Sequence, residues 1–88
     1  MIRRRVIVSG HVQGVFFRDA VQDQAESESV AGWVTNREDG AVEAVFEGEE
    51  DAVEALVDFC REGPARADVE DVDVIDEDPE DLDGFEVR

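Results

Sequence analysis

Residues 10 to 18 read Gly-His-Val-Gln-Gly-Val-Phe-Phe-Arg, and this stretch constrains the fold more than any other. An apolar run, Val6-Ile7-Val8, enters it and a helix-like pattern leaves it. Gly10 and Gly14 let the backbone turn tightly and expose its N–H groups. A helix that follows begins with unpaired N–H groups and the positive end of its dipole. Arg18 adds a planar, permanently charged fork on the first turn. Strand, glycine-bearing loop, helix start and arginine together describe a cradle for a tetrahedral oxyanion such as phosphate. The same pattern also fits a plain strand-to-helix connection with a surface arginine, and the stretch alone does not separate the two.

Eighty-eight residues suffice for one small domain, expected to span residues 1–88. A chain of this size buries about two thirds of its unfolded surface, so one core can hold it without staples. The single cysteine, Cys60, excludes an internal disulfide and any cysteine-based metal cluster. Cys60 reads as a small buried hydrophobe on a helix rather than a reactive thiol, because its neighbours are acidic and no histidine is near in sequence. No secretory or membrane-spanning apolar run is present, so a cytoplasmic location and no membrane partner are expected.

The net charge is −17, from 25 acidic and eight basic residues. All eight basic residues are arginine; there is no lysine. This composition reads as adaptation to a salt-rich cytoplasm, with an ordinary acidic protein as the alternative. Such a charge disfavours nucleic acid and anionic membrane as partners. A hydrophobic content of 42% and clear periodicity argue against disorder.

Arg3 to Ser9 reads as a strand, with Arg3-Arg4-Arg5 decorating its end. Residues 16 to 31 read as a helix: Phe17, Ala20, Val21 and Ala25 recur at three- and four-residue steps, with Asp19, Asp23 and Glu26 opposite. Ala31 to Arg37 is a second strand, carrying Trp33 and Val34. Asp39-Gly40 signals a hairpin turn. Ala41 to Glu47 is a third strand, with Val42, Ala44 and Phe46 on one face and Glu43 and Glu47 on the other.

Glu49, Glu50 and Asp51 open a second helix with acid in its first turn. Val53, Leu56, Val57 and Cys60 form its apolar stripe, and Gly63-Pro64 stops it. Val69, Val72, Val74 and Ile75 predict a fourth strand whose alternation slips once, at a bulge. Asp76 to Asp83 reads as a solvated acidic loop, with weak cation binding at Asp76-Glu77-Asp78 as the lesser reading. Phe85 to Arg88 reads as a short edge strand. The order βαββαβ plus a tail predicts an α+β, ferredoxin-like sandwich: an antiparallel sheet with two helices on one face. That fold hosts many functions, so function must come from the site.

The second informative stretch is Gly32-Trp33-Val34-Thr35-Asn36, followed by Asp39-Gly40-Ala41-Val42-Glu43. Asn36 falls just before the turn, where an asparagine caps its own backbone or orients a water. Together the two stretches resemble the signatures of acylphosphatases. Gly10 to Arg18 matches the first; Gly32 to Asn36, with Gly40, Val42 and Gly48 at their offsets, matches the second. Thr35 departs mildly, since the family more often has a longer side chain there. The tail, with Pro79 and Phe85-Glu86-Val87, is also similar. The resemblance implies the ferredoxin-like fold, hydrolysis of acyl phosphates to a carboxylate and inorganic phosphate, no cofactor or metal, and a monomer. By motif match it implies that Arg18 binds the phosphoryl group and Asn36 positions the attacking water. It also implies that backbone N–H groups of Gln13, Gly14, Val15, Phe16 and Phe17 complete the cradle.

His11 reads as a loop residue, Gln13 as a brace of the loop, and Trp33 and Phe46 as core or sheet-face residues. Arg37 follows Asn36 and points to the opposite face. Two other functions compete with a stand-alone enzyme. One is a non-catalytic phosphate- or carbamoyl-phosphate-binding module of the same fold. The other is an RNA-binding sheet, which the absence of tyrosine and the charge disfavour.

Overall fold

The structure is a computed structural model that describes all residues, 1–88. Strand β1 (Ile2–His11) is followed by helix α1 (Phe17–Ser27), the hairpin β2 (Ala31–Asn36) and β3 (Val42–Gly48), and helix α2 (Glu50–Glu62). Strands β4 (Asp68–Glu77) and β5 (Phe85–Val87) complete the chain. The strand order is β4-β1-β3-β2-β5. The first four strands are antiparallel, as expected, and β5 lies parallel to β2 at the edge. The tail strand therefore makes the sheet mixed. It reaches β2 by an irregular connection rather than a hairpin, which leaves its direction free.

Both helices cover one face. Val6 and Val8 of β1, Val34 of β2, and Val42, Ala44 and Phe46 of β3 meet Phe17, Val21 and Ala25 of α1. Val53, Leu56, Val57 and Cys60 of α2 complete that cluster, so the sequence stripe is the buried stripe. Each fully buried aliphatic or phenyl group contributes about 1.5–3 kcal/mol. Burial pushes the Cys60 thiol up to about 12, which keeps it protonated and inert.

Helix α1 ends four residues before the sequence pattern suggests. Ser29 takes a left-handed conformation (φ 58°), and the N–H groups of Ser29 and Val30 return to the carbonyls of Glu26 and Ala25. This is a Schellman stop built on serine, so no glycine announces it. Where backbones approach closely, glycine is obligatory. A Cβ on Gly32 (φ +140°) would lie 1.8 Å from the Val45 carbonyl oxygen. One on Gly10 (φ +123°) would lie 2.3 Å from that of Asp68. Gly10 sits where the β1–β4 register slips, pairing with Val69 while Ser9 pairs with Asp71. The bulge predicted for β4 thus falls at Glu70, which brings Val69 and Val72 to the same face.

The face without helices is covered by charge. Arg3, only 5% exposed, donates through Nε to Glu77 at 2.8 Å and lies near Glu47. Arg5 bridges Glu77 and Glu43 and lies over the Trp33 ring. Glu47 is 1% exposed and accepts from the N–H groups of Glu80 and Leu82, fixing the loop that leads to β5. These pairs correct two sequence expectations. Arg3 and Arg5 form a cross-strand ion-pair hub rather than decoration, while Arg4, on the helix side of β1 near α2, pairs with Asp76. Asp76 and Glu77 belong to β4 rather than to a loop; Glu77 faces Arg3 and Arg5, and Asp76, still exposed, pairs with Arg4. Glu47 is buried, because the 78–84 segment folds over it. No group of three or more acidic, histidine or cysteine side chains is arranged to hold a metal ion. No helix is long and apolar enough to cross a membrane.

Candidate active site

The end of β1, the 12–16 loop, the first turn of α1 and the end of β2 surround one cleft of about 280 Å³. Val12, Gly14, Phe16, Phe17, Arg18, Asp19 and Asn36 line it. The two stretches singled out in the sequence, residues 10–18 and 32–36, are thereby brought together. The sheet order does this: β1 and β2 flank β3, so the exit of β1 and the exit of β2 lie at the same end.

The loop is shaped to present donors. Gly14 (φ 74°) and Phe16 (φ 63°, ψ 25°) are both left-handed, and Phe16 stands at the N-cap of α1 without any side-chain cap. No carbonyl or side-chain oxygen of the protein accepts from the N–H groups of Gln13, Gly14, Val15 or Phe16. Alternating backbone conformations of this kind form a concave nest of N–H groups, and the helix dipole adds positive potential there. Val15 turns its side chain inward and is 6% exposed, so only its backbone is available to the cleft.

Gln13 braces the loop, as its sequence reading expects. Its Nε2 donates to the carbonyls of Arg37 at 2.8 Å and Ala41 at 2.9 Å, tying the cradle to the β2–β3 turn. That turn carries Asn36, paired with Val42 in the last rung of the ladder. Gln13 is therefore a physical link between the two motifs.

Arg18 is half-buried on the first turn of α1. Its Nη1 donates to the carbonyl oxygen of Arg88 at 2.9 Å, and the Thr35 hydroxyl donates to the same oxygen at 3.3 Å. Arg88 is itself held by its N–H on the Val34 carbonyl at 2.8 Å and by stacking over Trp33. The sequence reading missed this carbonyl, since a backbone oxygen carries no residue signature. It also missed Asp19 as a lining residue, reading it only as the polar side of a helix. His11 is exposed at the end of β1 and does not line the cleft. Arg37 turns to Asp39 and Glu43.

Fold and site together define an α+β sandwich whose strand-to-helix loop carries unpartnered N–H groups beside a cleft lined by an arginine and an asparagine. The acylphosphatase family model matches residues 4–87. An acylphosphatase of Haloarcula marismortui is 57% identical over 86 residues, covering 98% of this chain and 94% of its own length. One of Natronomonas pharaonis is 52% identical over 87 residues, covering 99% and 95%. The crystal structure of the acylphosphatase from Bacillus subtilis superposes with a TM-score of 0.96 at 39% identity, covering 100% of this chain and 99% of that one. The chain belongs to the acylphosphatase family. Its activity is the hydrolysis of acyl phosphates, and its substrate is a small molecule.

Proposed function

We propose that the N–H groups of residues 13–17 and the Arg18 guanidinium hold the phosphoryl group, and that Asn36 positions the water that attacks it. The supporting observation is that Arg18 and Asn36 line the same cleft as a loop whose N–H groups lack protein partners. The Arg88 carbonyl orients Arg18, leaving its remaining donors for phosphate oxygens. The Asn36 amide carries both an acceptor and donors, so it can hold a water in line with the scissile bond.

Phosphoryl transfer needs positioning and charge stabilisation more than covalent chemistry. The water oxygen bonds to phosphorus while the bond from phosphorus to the acyl oxygen breaks. The pair of electrons leaves with the carboxylate, a weak base that needs no general acid. The water proton passes to a phosphoryl oxygen of the substrate itself, which is why no histidine is required at the cleft. Products are a carboxylate and inorganic phosphate.

The chain acts as a monomer of one domain in a salt-rich cytoplasm. The −17 charge, the lack of lysine and the similarity to proteins of halophilic archaea support that setting. The test is turnover of benzoyl phosphate by the purified chain in molar KCl, with competitive inhibition by inorganic phosphate. Phosphate binding without turnover would instead identify a non-catalytic binding module.

A further inference from the structure

We propose that the Phe16 side chain is the wall against which the acyl group lies, and that the cleft selects neutral, apolar acyl phosphates over those carrying a second carboxylate. The proposal rests on the phosphoryl group occupying the 13–17 loop beside Arg18.

Phe16 is 69% exposed, in a chain whose other exposed large hydrophobics are Met1 at the terminus and Val74 and Ile75 on β4. Of these four, only Phe16 lines the cleft. Its backbone is left-handed, a conformation that bulky side chains rarely adopt. Where the loop needs only such a turn, it uses Gly14. The phenyl group at Phe16 gains no core burial in return for this strain. A strained residue with an exposed aromatic ring at the mouth of a site points to a ligand contact as the compensating interaction.

The chemistry of the substrate supplies that contact. One end is a phosphoryl dianion, which the loop amides and Arg18 match. The other end is an acyl group, and nothing else at the cleft mouth offers it an apolar surface of comparable size. An acyl group laid over the ring removes apolar area from water on both sides, and an aromatic one also stacks. Asp19, on the same first turn as Arg18, contributes a carboxylate to the lining. A second negative charge on the acyl chain meets it at short range, where screening by salt is least effective.

The experiment compares kcat/KM for benzoyl, acetyl and succinyl phosphate, all in the same molar KCl, with the inhibition constant for inorganic phosphate. Phe16→Ala should lower kcat/KM for benzoyl phosphate about tenfold more than for acetyl phosphate, as expected for loss of an apolar contact. Phosphate inhibition should change far less than that ratio, because the amides remain. Phe16→Trp should keep the benzoyl preference. Asp19→Asn should raise succinyl relative to benzoyl phosphate, whereas Asp51→Asn, on the outer side of α2, should not. Equal losses on benzoyl and acetyl phosphate in Phe16→Ala would overturn the proposal. Phe16→Gly, which relaxes the backbone, carries the same comparison if the alanine variant does not fold. Failure of phosphate to compete in the wild type would overturn the cradle reading instead.

Discussion

The Arg18 guanidinium donates to the carbonyl oxygen of Arg88, so the side chain placed at the cleft is held by the residue that follows β5. The contact crosses 70 positions of sequence at 2.9 Å. It fixes one edge of the fork of a residue that lines the cleft.

Arg18→Ala should therefore nearly abolish hydrolysis and weaken inhibition by phosphate. Losing a charge-assisted donor to developing charge costs about 3–4 kcal/mol, or roughly a factor of 10²–10³ in kcat/KM. Arg18→Lys should recover only part of this. A lysine has one charged nitrogen, which cannot hold the Arg88 carbonyl and bind phosphate in a forked geometry at once. Steady-state kinetics on both variants checks this; wild-type turnover in Arg18→Ala would remove Arg18 from the mechanism.

Asn36→Ala should lower kcat much more than it raises KM. A group that positions water acts on the transition state and contributes little to holding the substrate. A rise in KM alone would make Asn36 a binding residue or a turn cap.

Much of the fold was legible because its signals are local. The stripe Val53, Leu56, Val57 and Cys60 defines α2 at helical spacing, and Asp39-Gly40 marks the hairpin. Arg18 and Asn36 were legible as members of spaced motifs. That they share one site was implied by the resemblance alone, since the cleft depends on β3 lying between β1 and β2. The end of α1 was hidden because Ser29 performs a turn normally announced by glycine. The pairing of Arg3 with Glu47 and Glu77 was hidden because register between distant strands decides which charges meet. The Arg88 contact uses a carbonyl that every residue possesses.

Acid should weaken the face opposite the helices. Hydrogen bonds from Arg5 first and then Arg3 hold the Glu77 carboxyl below its ordinary value of 4.5. A carboxyl depressed in the folded state stabilises fully above its unfolded pKa. That contribution disappears as pH falls through the folded value. The difference in melting temperature between wild type and Glu77→Gln should thus be constant near neutrality and shrink below about pH 4. General relief of acidic repulsion is common to both proteins and drops out of the difference. A gap that persists unchanged into strong acid would show that Glu77 contributes by packing and not by charge.

Salt should raise both stability and kcat/KM. Crowded carboxylates repel one another and repel a dianionic substrate, while Arg18 and the loop amides act at contact. The Debye length falls from about 10 Å at 0.1 M to about 3 Å at 1 M, which silences distant carboxylates and spares close contacts. Salt also screens the attraction of Arg18 before contact. With 25 acids against eight arginines, relief of repulsion is the larger effect. Thermal melts and acyl-phosphate hydrolysis between 0.1 M and molar KCl, with a non-competing anion, check this. A flat or falling melting temperature would remove the salt adaptation and leave the hydrolase intact.

The burial of Cys60 has a chemical consequence beyond packing. An acyl phosphate is itself an acyl donor to amines and thiolates. This chain contains no lysine, and its one thiol lies in the core with its pKa pushed up to about 12. The cation at the cleft is an arginine, which stays charged and does not compete as a nucleophile. The protein therefore handles a reactive acylating agent while offering it no side chain with which to form a stable amide or an exposed thioester. Its side chains are thereby spared lasting acylation by the substrate the protein destroys.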